Sequence, residues 1–410
     1  MKSYQAVIIG GGPAGLGAAI ALKKQGIQDI LVVEREHHLG GILRQCIHDG
    51  FGLTRFGESL SGPEYAQRFI EEAQRLQIEC RTDCTVLHLT EDKIVTLCSR
   101  AGLEVVVARA VVLAMGCRER TRGALAIAGT RPAGVMTAGV AQHYMNLRNI
   151  MVGREVVVLG SGDIGLIMAR RMTLEGAKVK GVFEIQPYPS GLPRNIMQCL
   201  NDYDIPLYLS HTVTEIRGRE RLSAVTISQV DEAMRVLPGT ERELSCDTLI
   251  LSVGLIPENE LSLDAGVVLD YRTKGALVDE YYQTSVPGIF AAGNVLHVHD
   301  LVDFVTLEAE ALANAVTEYV KRNTMPDCKL TVVPGEGIGH VVPQRCSGRD
   351  AFTLSLRVTR PRRDCIVTVH QGGREILRQT VKNALPAEML QYSIPAERLN
   401  AEGDLEVALL

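Results

Sequence analysis

The chain has 410 residues, a formal net charge of −5 and 46% apolar residues, enough for two or three domains around sizeable cores. Tryptophan is absent and aromatics are few, so stacking surfaces are scarce and, with acidic net charge, nothing points to nucleic acid. No apolar run approaches the ~18 residues that a membrane-spanning helix needs, so no integral membrane segment is expected.

The chain opens directly on a strand-like run, Ala6 to Ile9, so no signal peptide is expected. Gly10-x-Gly12-x-x-Gly15 follows, then a helical stretch, then a second apolar run that ends on Glu34. The first glycine makes the tight turn out of the strand, the second leaves room for a pyrophosphate, and the third lets helix and strand pack closely. The pyrophosphate sits on the helix N-terminus, and the carboxylate about 20 residues on takes a ribose hydroxyl.

Residues 63–77 read as an amphipathic helix opened by Pro63 at the first helical position. Strand-like runs at Val105 to Val107 and Val111 to Leu113 lead to Ala114-Met115-Gly116. Residues 119–150 read as a connector. Arg118, Arg120 and Arg122 at its start either orient a nucleotide or form a solvated turn.

The opening pattern then repeats 150 positions later. Gly160-x-Gly162-x-x-Gly165 follows the apolar run Val156 to Leu159, and Ala19, Gly26 and Glu34 recur as Ala169, Gly176 and Glu184. This second unit ends with the run Thr248 to Val253, then Gly254 and Pro257. Glu184 would repel a 2′-phosphate, and no Arg or Lys follows directly, so NAD(H) is favoured over NADP(H) here, with Arg194 the residue able to overturn this. The chain then returns to its first domain through a buried strand within Ser285 to Asn294 and a helix from about Leu301 to Lys321. Residues 330–410 alternate with a period near two, as in Thr353 to Val358 and Cys365 to Val369, which predicts a small β-rich domain. A basic cluster there, Arg357, Arg360, Arg362 and Arg363, reads as a solvated or partner-facing strand edge.

The expected fold is α/β. Two Rossmann-like dinucleotide-binding domains are present, one (119–265, connector included) inserted in the other (1–118 and 266–325), with a C-terminal β-rich domain at 326–410. Ten cysteines are scattered, with Cys80 and Cys84 the closest pair and no paired C-x2-C set. Reduced thiols in a cytoplasmic protein are expected, without an iron–sulfur cluster. The segment His297, His299, Asp300, Asp303 is tempting as a metal site, but its place before the helix assigns Asp300 or Asp303 to capping, and no metal is expected.

The paired fingerprints, Ala114-Met115-Gly116, Ser252-Val253-Gly254 with Pro257, and Gly288-Ile289-Phe290-Ala291-Ala292-Gly293-Asn294 occur in one order. As a set over about residues 1–325 they resemble the two-dinucleotide-binding flavoproteins related to the pyridine nucleotide–disulfide oxidoreductases. The resemblance implies FAD in the first site and NAD(P)H in the second. It assigns FAD to Gly10, Gly12, Pro13, Ala14, Gly15 and Glu34, with Arg35, Gly41, Val86, Gly116 and Asn294 as further contacts. It assigns NAD(H) to Gly160, Gly162, Ile164, Gly165, Glu184 and Gly254. Asn294 stands where the wider family usually has Asp.

Three further stretches depart from the disulfide reductases: Gly40 to His48, Arg118 to Gly123, and His297 to Asp303. They look like flavoprotein subunits that accompany a separate substrate-oxidising flavoprotein. The nearest likeness is to anaerobic glycerol-3-phosphate-dehydrogenase-like systems, and more distantly to subunits of opine, hydroxyproline and sarcosine oxidases and hydrogen cyanide synthase. The loop after Gly41 carries only Cys46, so internal disulfide chemistry is not expected. Arg44, Gln45, Cys46 and His48 lie where the family's loop passes the flavin ring. They are the catalytic candidates, together with His297 and His299 for proton handling. The implied function is hydride exchange between NAD(H) and FAD, with electrons passed to or from a partner dehydrogenase subunit in a homo- or hetero-oligomer. The alternative is an electron-relay or assembly subunit with a silent nicotinamide site.

Overall fold

A computed structural model describes residues 1–410. The chain divides into two compact units, Met1–Cys117 with Pro257–Leu410, and Arg118–Ile256. It returns to the first unit at Pro257, ahead of residue 266.

The first unit is built on strand β1 (Lys2–Ile9), helix α1 (Pro13–Lys24) and strand β2 (Ile30–Val33). β1 pairs in parallel with β2, Ile8 opposite Val32, and with Gly102–Leu113, Ile8 opposite Val112. Ile289–Ala291 adds a further parallel strand, Phe290 opposite Val112. Near-continuous apolar runs suit such strands because both faces are covered. Ile8, Val32, Val112 and Phe290 point to one core, with α1; Val7, Ile9, Leu31, Val33 and Leu113 point to the opposite core. The two expected runs around Val105 and Val111 form one strand, Gly102–Leu113, whose first half pairs antiparallel with Ile94–Ser99.

The amphipathic helix spans Gly62–Arg75 and opens on a capping box. Ser61 Oγ accepts from the Glu64 amide, and the Glu64 carboxylate accepts from the Ser61 amide, which satisfies two end donors reciprocally.

The second unit repeats the plan with β3 (Glu155–Leu159), α2 (Asp163–Leu174) and β4 (Lys178–Glu184). Its parallel sheet runs Leu207–Leu209, β4, β3, Thr248–Leu251, Val135–Thr137. The stretch 119–150 is therefore not a plain connector: Val135–Thr137 is an edge strand, and Ala138–Arg148 is a helix. A three-residue strand shows no periodicity, which hid it in the sequence.

Residues 330–410 form strands in two sheets around their own core, including Val332, Leu354, Val367 and Val407. They belong to the first unit and are tied to it by polar contacts. Ser347 Oγ donates to the Glu280 carboxylate, and the Val278 amide donates to Gln344 Oε1. Arg357 pairs with Asp300 at 3.2 Å, both side chains largely buried. Arg357 is thus a buried anchor and not part of a solvated strand edge, while Arg360, Arg362 and Arg363 are exposed.

Candidate functional site

In the first unit the chain leaves β1 at Gly10, whose φ is +115°. A Cβ there would stand 2.3 Å from the Ala114 carbonyl oxygen, and one on Gly15 would stand 1.8 Å from the Gly10 oxygen. Only glycine fits either place. Beside Gly12 the nearest atom to an added Cβ is the Gly41 Cα, at 3.9 Å, so a phosphate has room to approach the backbone. Gly12 caps α1 with no side chain over the helix end, and Pro13 takes the first helical position. The exposed first-turn amides and the helix dipole favour an anion there. These residues fit a dinucleotide.

Glu34, at the end of the β2 run, is buried. Its carboxylate accepts from the Gly11 amide and the Glu36 amide, both at 2.8 Å. Gly41 lies against the glycine turn and opens the short helix Gly41–Gln45 that carries Arg44 and buried Gln45. Cys46 Sγ donates to the Ile42 oxygen, and the His48 ring packs 4.9 Å from Phe51. The 41–48 candidates therefore do gather on one loop beside the first fingerprint. Arg35 is exposed, and Val86 is half-buried, packed against a core cluster. Gly116 has positive φ with open space at its Cβ position.

The second unit reproduces this geometry. Gly160 has φ +88° and would place a Cβ 2.1 Å from the Ser252 oxygen. Gly165 and Gly162 also face Ser252, Ile164 lies in the first turn of α2, and Gly254 has φ +103° with open space beside it. Glu184 accepts from the Ser161 and Gln186 amides, the counterparts of the Gly11 and Glu36 amides. The repeat runs further than the two glycine patterns alone indicate. Gly41 lies against the first turn, and Gly191 lies against the second, a Cβ on it meeting the Ser161 oxygen at 2.7 Å.

The two copies also differ. Glu184 accepts two more hydrogen bonds, from Ser161 Oγ at 2.6 Å and Ser190 Oγ at 2.8 Å. Asp163 replaces Pro13, and its carboxylate accepts from the Leu192 amide and the Asn195 side chain. Arg194 is exposed, Arg120 donates its amide to the Gly254 oxygen, and Arg122 holds the carbonyls of Ile127 and Gly129.

His297 and His299 lie just before helix α3 (Val302–Arg322), both almost fully buried. The expected cap is not formed. Leu301 occupies the cap position without a side-chain bond; Asp300 holds Arg357 and the Met389 amide, and Asp303 accepts from the Thr54 amide. The His297 Nε2 instead lies 2.6 Å from Glu308 Oε2, and the His299 Nε2 lies 3.4 Å from the same oxygen. Glu308 Oε1 accepts from the Gly293 amide at 2.7 Å. Burial works against the Glu308 charge, but the two imidazoles beside it, with the hydrogen bond to His297, hold its carboxyl well below the usual range. Asn294 Oδ1 accepts from the His299 amide, and its Nδ2 points at Cys117 Sγ, 3.6 Å away.

Glu308 was missed in the sequence. Its signal was a carboxylate within the apolar stripe of α3, between Val305 and Leu312, both buried. His340, whose ring centroid is 6.3 Å from that of His297, was missed because it lies in the C-terminal strands. Burial pushes its imidazole down to about 3, so it is neutral.

None of the ten cysteines is in a disulfide. Burial pushes the Cys80 and Cys199 thiols up to about 11 and those of Cys246 and Cys346 up to about 12, so these are poor nucleophiles. No helix is long and apolar enough to cross a membrane.

Residues 4–318 match the family model described as pyridine nucleotide-disulphide oxidoreductase. The chain is 25% identical over 320 residues to hydrogen cyanide synthase subunit HcnB of Pseudomonas protegens, covering 72% of this chain and 66% of that protein. It is 26% identical over 314 residues to an opine oxidase subunit of Agrobacterium tumefaciens, covering 71% of this chain and 61% of that protein. The chain thus spans just under two thirds of the length of these relatives. Among solved structures, T. acidophilum thioredoxin reductase shares the fold with a TM-score of 0.64, 22% identity, and coverage of 78% of this chain and 99% of that one. The matched span takes in both glycine turns and both buried carboxylates, and the chain belongs to the pyridine nucleotide-disulphide oxidoreductase family, as an oxidoreductase that binds FAD and a pyridine nucleotide.

Proposed function

We propose that this chain exchanges a hydride between NAD(H) and FAD and passes electrons to or from a partner dehydrogenase subunit of the glycerol-3-phosphate-dehydrogenase-like kind. One observation carries the two-site part: each glycine turn is closed by a buried carboxylate that accepts the amide after the first glycine. Gly10, Gly12, Pro13, Ala14, Gly15 and Glu34 hold FAD in this reading, with Arg35, Gly41, Val86, Gly116 and Asn294 around it. Gly160, Gly162, Ile164, Gly165, Glu184 and Gly254 hold NAD(H), and the Glu184 charge disfavours a 2′-phosphate. Bound flavin supplies the hydride-accepting ring. Arg44 and Gln45 contribute position and hydrogen-bond donors from the 41–48 loop.

Thiol–disulfide exchange is not part of the reading. Cys46 has no second cysteine near it in sequence, and the buried thiols above are unreactive. The partner is supported by the two relatives named as subunits. Residues 326–410 belong to the first unit, and Arg357 ties them to Asp300. Cysteines outside disulfides are consistent with a cytoplasmic setting.

A second reading, an FAD relay subunit with a silent nicotinamide site, is favoured by the extra serine hydroxyls on Glu184. Anaerobic addition of NADH to the FAD-loaded protein separates the two. Rapid bleaching of oxidised-flavin absorbance, faster with NADH than NADPH, supports exchange. Flavin that NADH leaves oxidised, but that a partner dehydrogenase with glycerol 3-phosphate reduces, establishes the relay.

A further inference from the structure

The cluster at the start of α3 has the chemistry of a metal site. The ligand atoms of His297, His299 and Glu308 lie within 4.8 Å of one another, and all three side chains are buried. Both Nε2 atoms face one carboxylate oxygen, at 2.6 and 3.4 Å. The far sides of two of these residues are already held. Glu308 Oε1 accepts from the Gly293 amide, and His299 Nδ1 lies 3.3 Å from Asn294 Oδ1. Metal-binding histidines and carboxylates are oriented in this way, through the atom turned away from the ion.

The inward-facing His299 Nε2 is buried without a hydrogen-bond partner, as is the Nε2 of nearby His340. The Glu308 carboxylate has no Arg or Lys partner, and the adjacent Arg357 is taken by Asp300.

We propose that His297, His299 and Glu308 bind one divalent first-row transition-metal ion, zinc in the first instance. Two imidazoles and one carboxylate suit zinc, with metal–ligand distances of about 2.0–2.2 Å and a fourth position left for water or His340. Tetrahedral ligands at that distance stand about 3.3 Å apart. The 3.4 Å His299–Glu308 separation already matches. The 2.6 Å His297–Glu308 separation opens by less than an ångström, as the proton between them is displaced by the ion. The ion pins the turn from Gly293 to Asp300 onto α3 and against the C-terminal strands.

The test uses the full-length, FAD-loaded protein. After chelator treatment it is equilibrated with zinc chloride near neutral pH, desalted and assayed for metal by mass spectrometry. The wild type is expected to retain about one zinc per chain, the stoichiometry of a single mononuclear site. Glu308→Gln and His299→Gln are each expected to weaken binding by at least about tenfold. No stoichiometric zinc in the wild type, or equal retention by wild type and both variants, overturns the proposal and leaves a hydrogen-bonded triad. Should the variants fail to fold, X-ray absorption at the zinc edge of the wild type decides. A nitrogen/oxygen shell with two imidazoles supports the site, and a shell without imidazole overturns it.

Discussion

Removing the Ser190 hydroxyl should strengthen NADH binding. An ionised carboxylate offers about four acceptor positions. Glu34 uses two, for the Gly11 and Glu36 amides. Glu184 uses four, for the Ser161 amide and hydroxyl, the Gln186 amide and the Ser190 hydroxyl. Three of these donors share Oε2 and one is on Oε1, so a ribose hydroxyl that reaches Oε2 must displace one donor. Ser190 is the cheapest to lose, because it sits in the loop after β4, and its amide keeps its own bond to Ser161 Oγ. Ser190→Ala removes that competition. One hydrogen bond nets about 0.5–1.5 kcal/mol, so the Kd for NADH should fall by about two- to twelvefold. FAD content should not change, since Ser190 lies in the other nucleotide unit. The assay is the NADH dependence of anaerobic flavin reduction by stopped flow, with direct titration as a check. A Kd that rises would mean that Ser190 binds the nucleotide itself, and the competition argument would be wrong.

Three other outcomes are expected. Glu184→Gln removes the charge that opposes a 2′-phosphate, so the preference for NADH over NADPH should narrow by about tenfold, one charge contact in a partly buried site; an unchanged ratio would shift the selectivity elsewhere. Arg357→Ala leaves buried Asp300 without its charge partner, keeping only the Met389 amide, which should cost about 3–5 kcal/mol in urea unfolding, against less than about 1 for a surface pair. Asp279 is held by burial at about 7, against an ordinary 3.8, although its carboxylate accepts from the Tyr281 and Gln283 amides. A raised carboxyl contributes stability that is full below the ordinary value and is lost as pH rises through the folded one. Wild-type stability should therefore fall between about pH 4 and 7 through this group, by at most about 4 kcal/mol. Asp279→Asn, whose amide oxygen accepts the same two bonds, should flatten that slope and be the more stable protein at neutral pH; an unaltered slope would show that Asp279 is ionised throughout.

The parts legible in the sequence are those fixed by local steric demand. Gly10 and Gly15 could be assigned roles because each role forbids a Cβ, and the structure puts backbone oxygens 2.3 and 1.8 Å from where one would be. Glu34 and Glu184 stand at the ends of strands whose apolar runs mark them. The parts that were hidden depend on the chain meeting itself at a distance. Glu308 faces His297 only because α3 turns one face toward the loop before it. Arg357 is indistinguishable in sequence from the three surface arginines that follow it, and only the fold sets Asp300 against it. Asp303 reads as a cap, but the Thr54 amide, far away in sequence, competes for its carboxylate. The edge strand Val135–Thr137 carries too few residues to show a period, and only its pairing with Thr248–Leu251 defines it.

The most direct test of two separate nucleotide sites on one chain is a pair of alanine substitutions at equivalent glycines. Gly10→Ala drives a Cβ to 2.3 Å from the Ala114 oxygen, and Gly160→Ala drives one to 2.1 Å from the Ser252 oxygen, both at positive φ. FAD content and NADH affinity are measured on each purified protein. Gly10→Ala should lose FAD while still binding NADH, and Gly160→Ala should retain FAD while losing NADH. Loss of both ligands together from two folded variants, or of neither from either, would contradict the account.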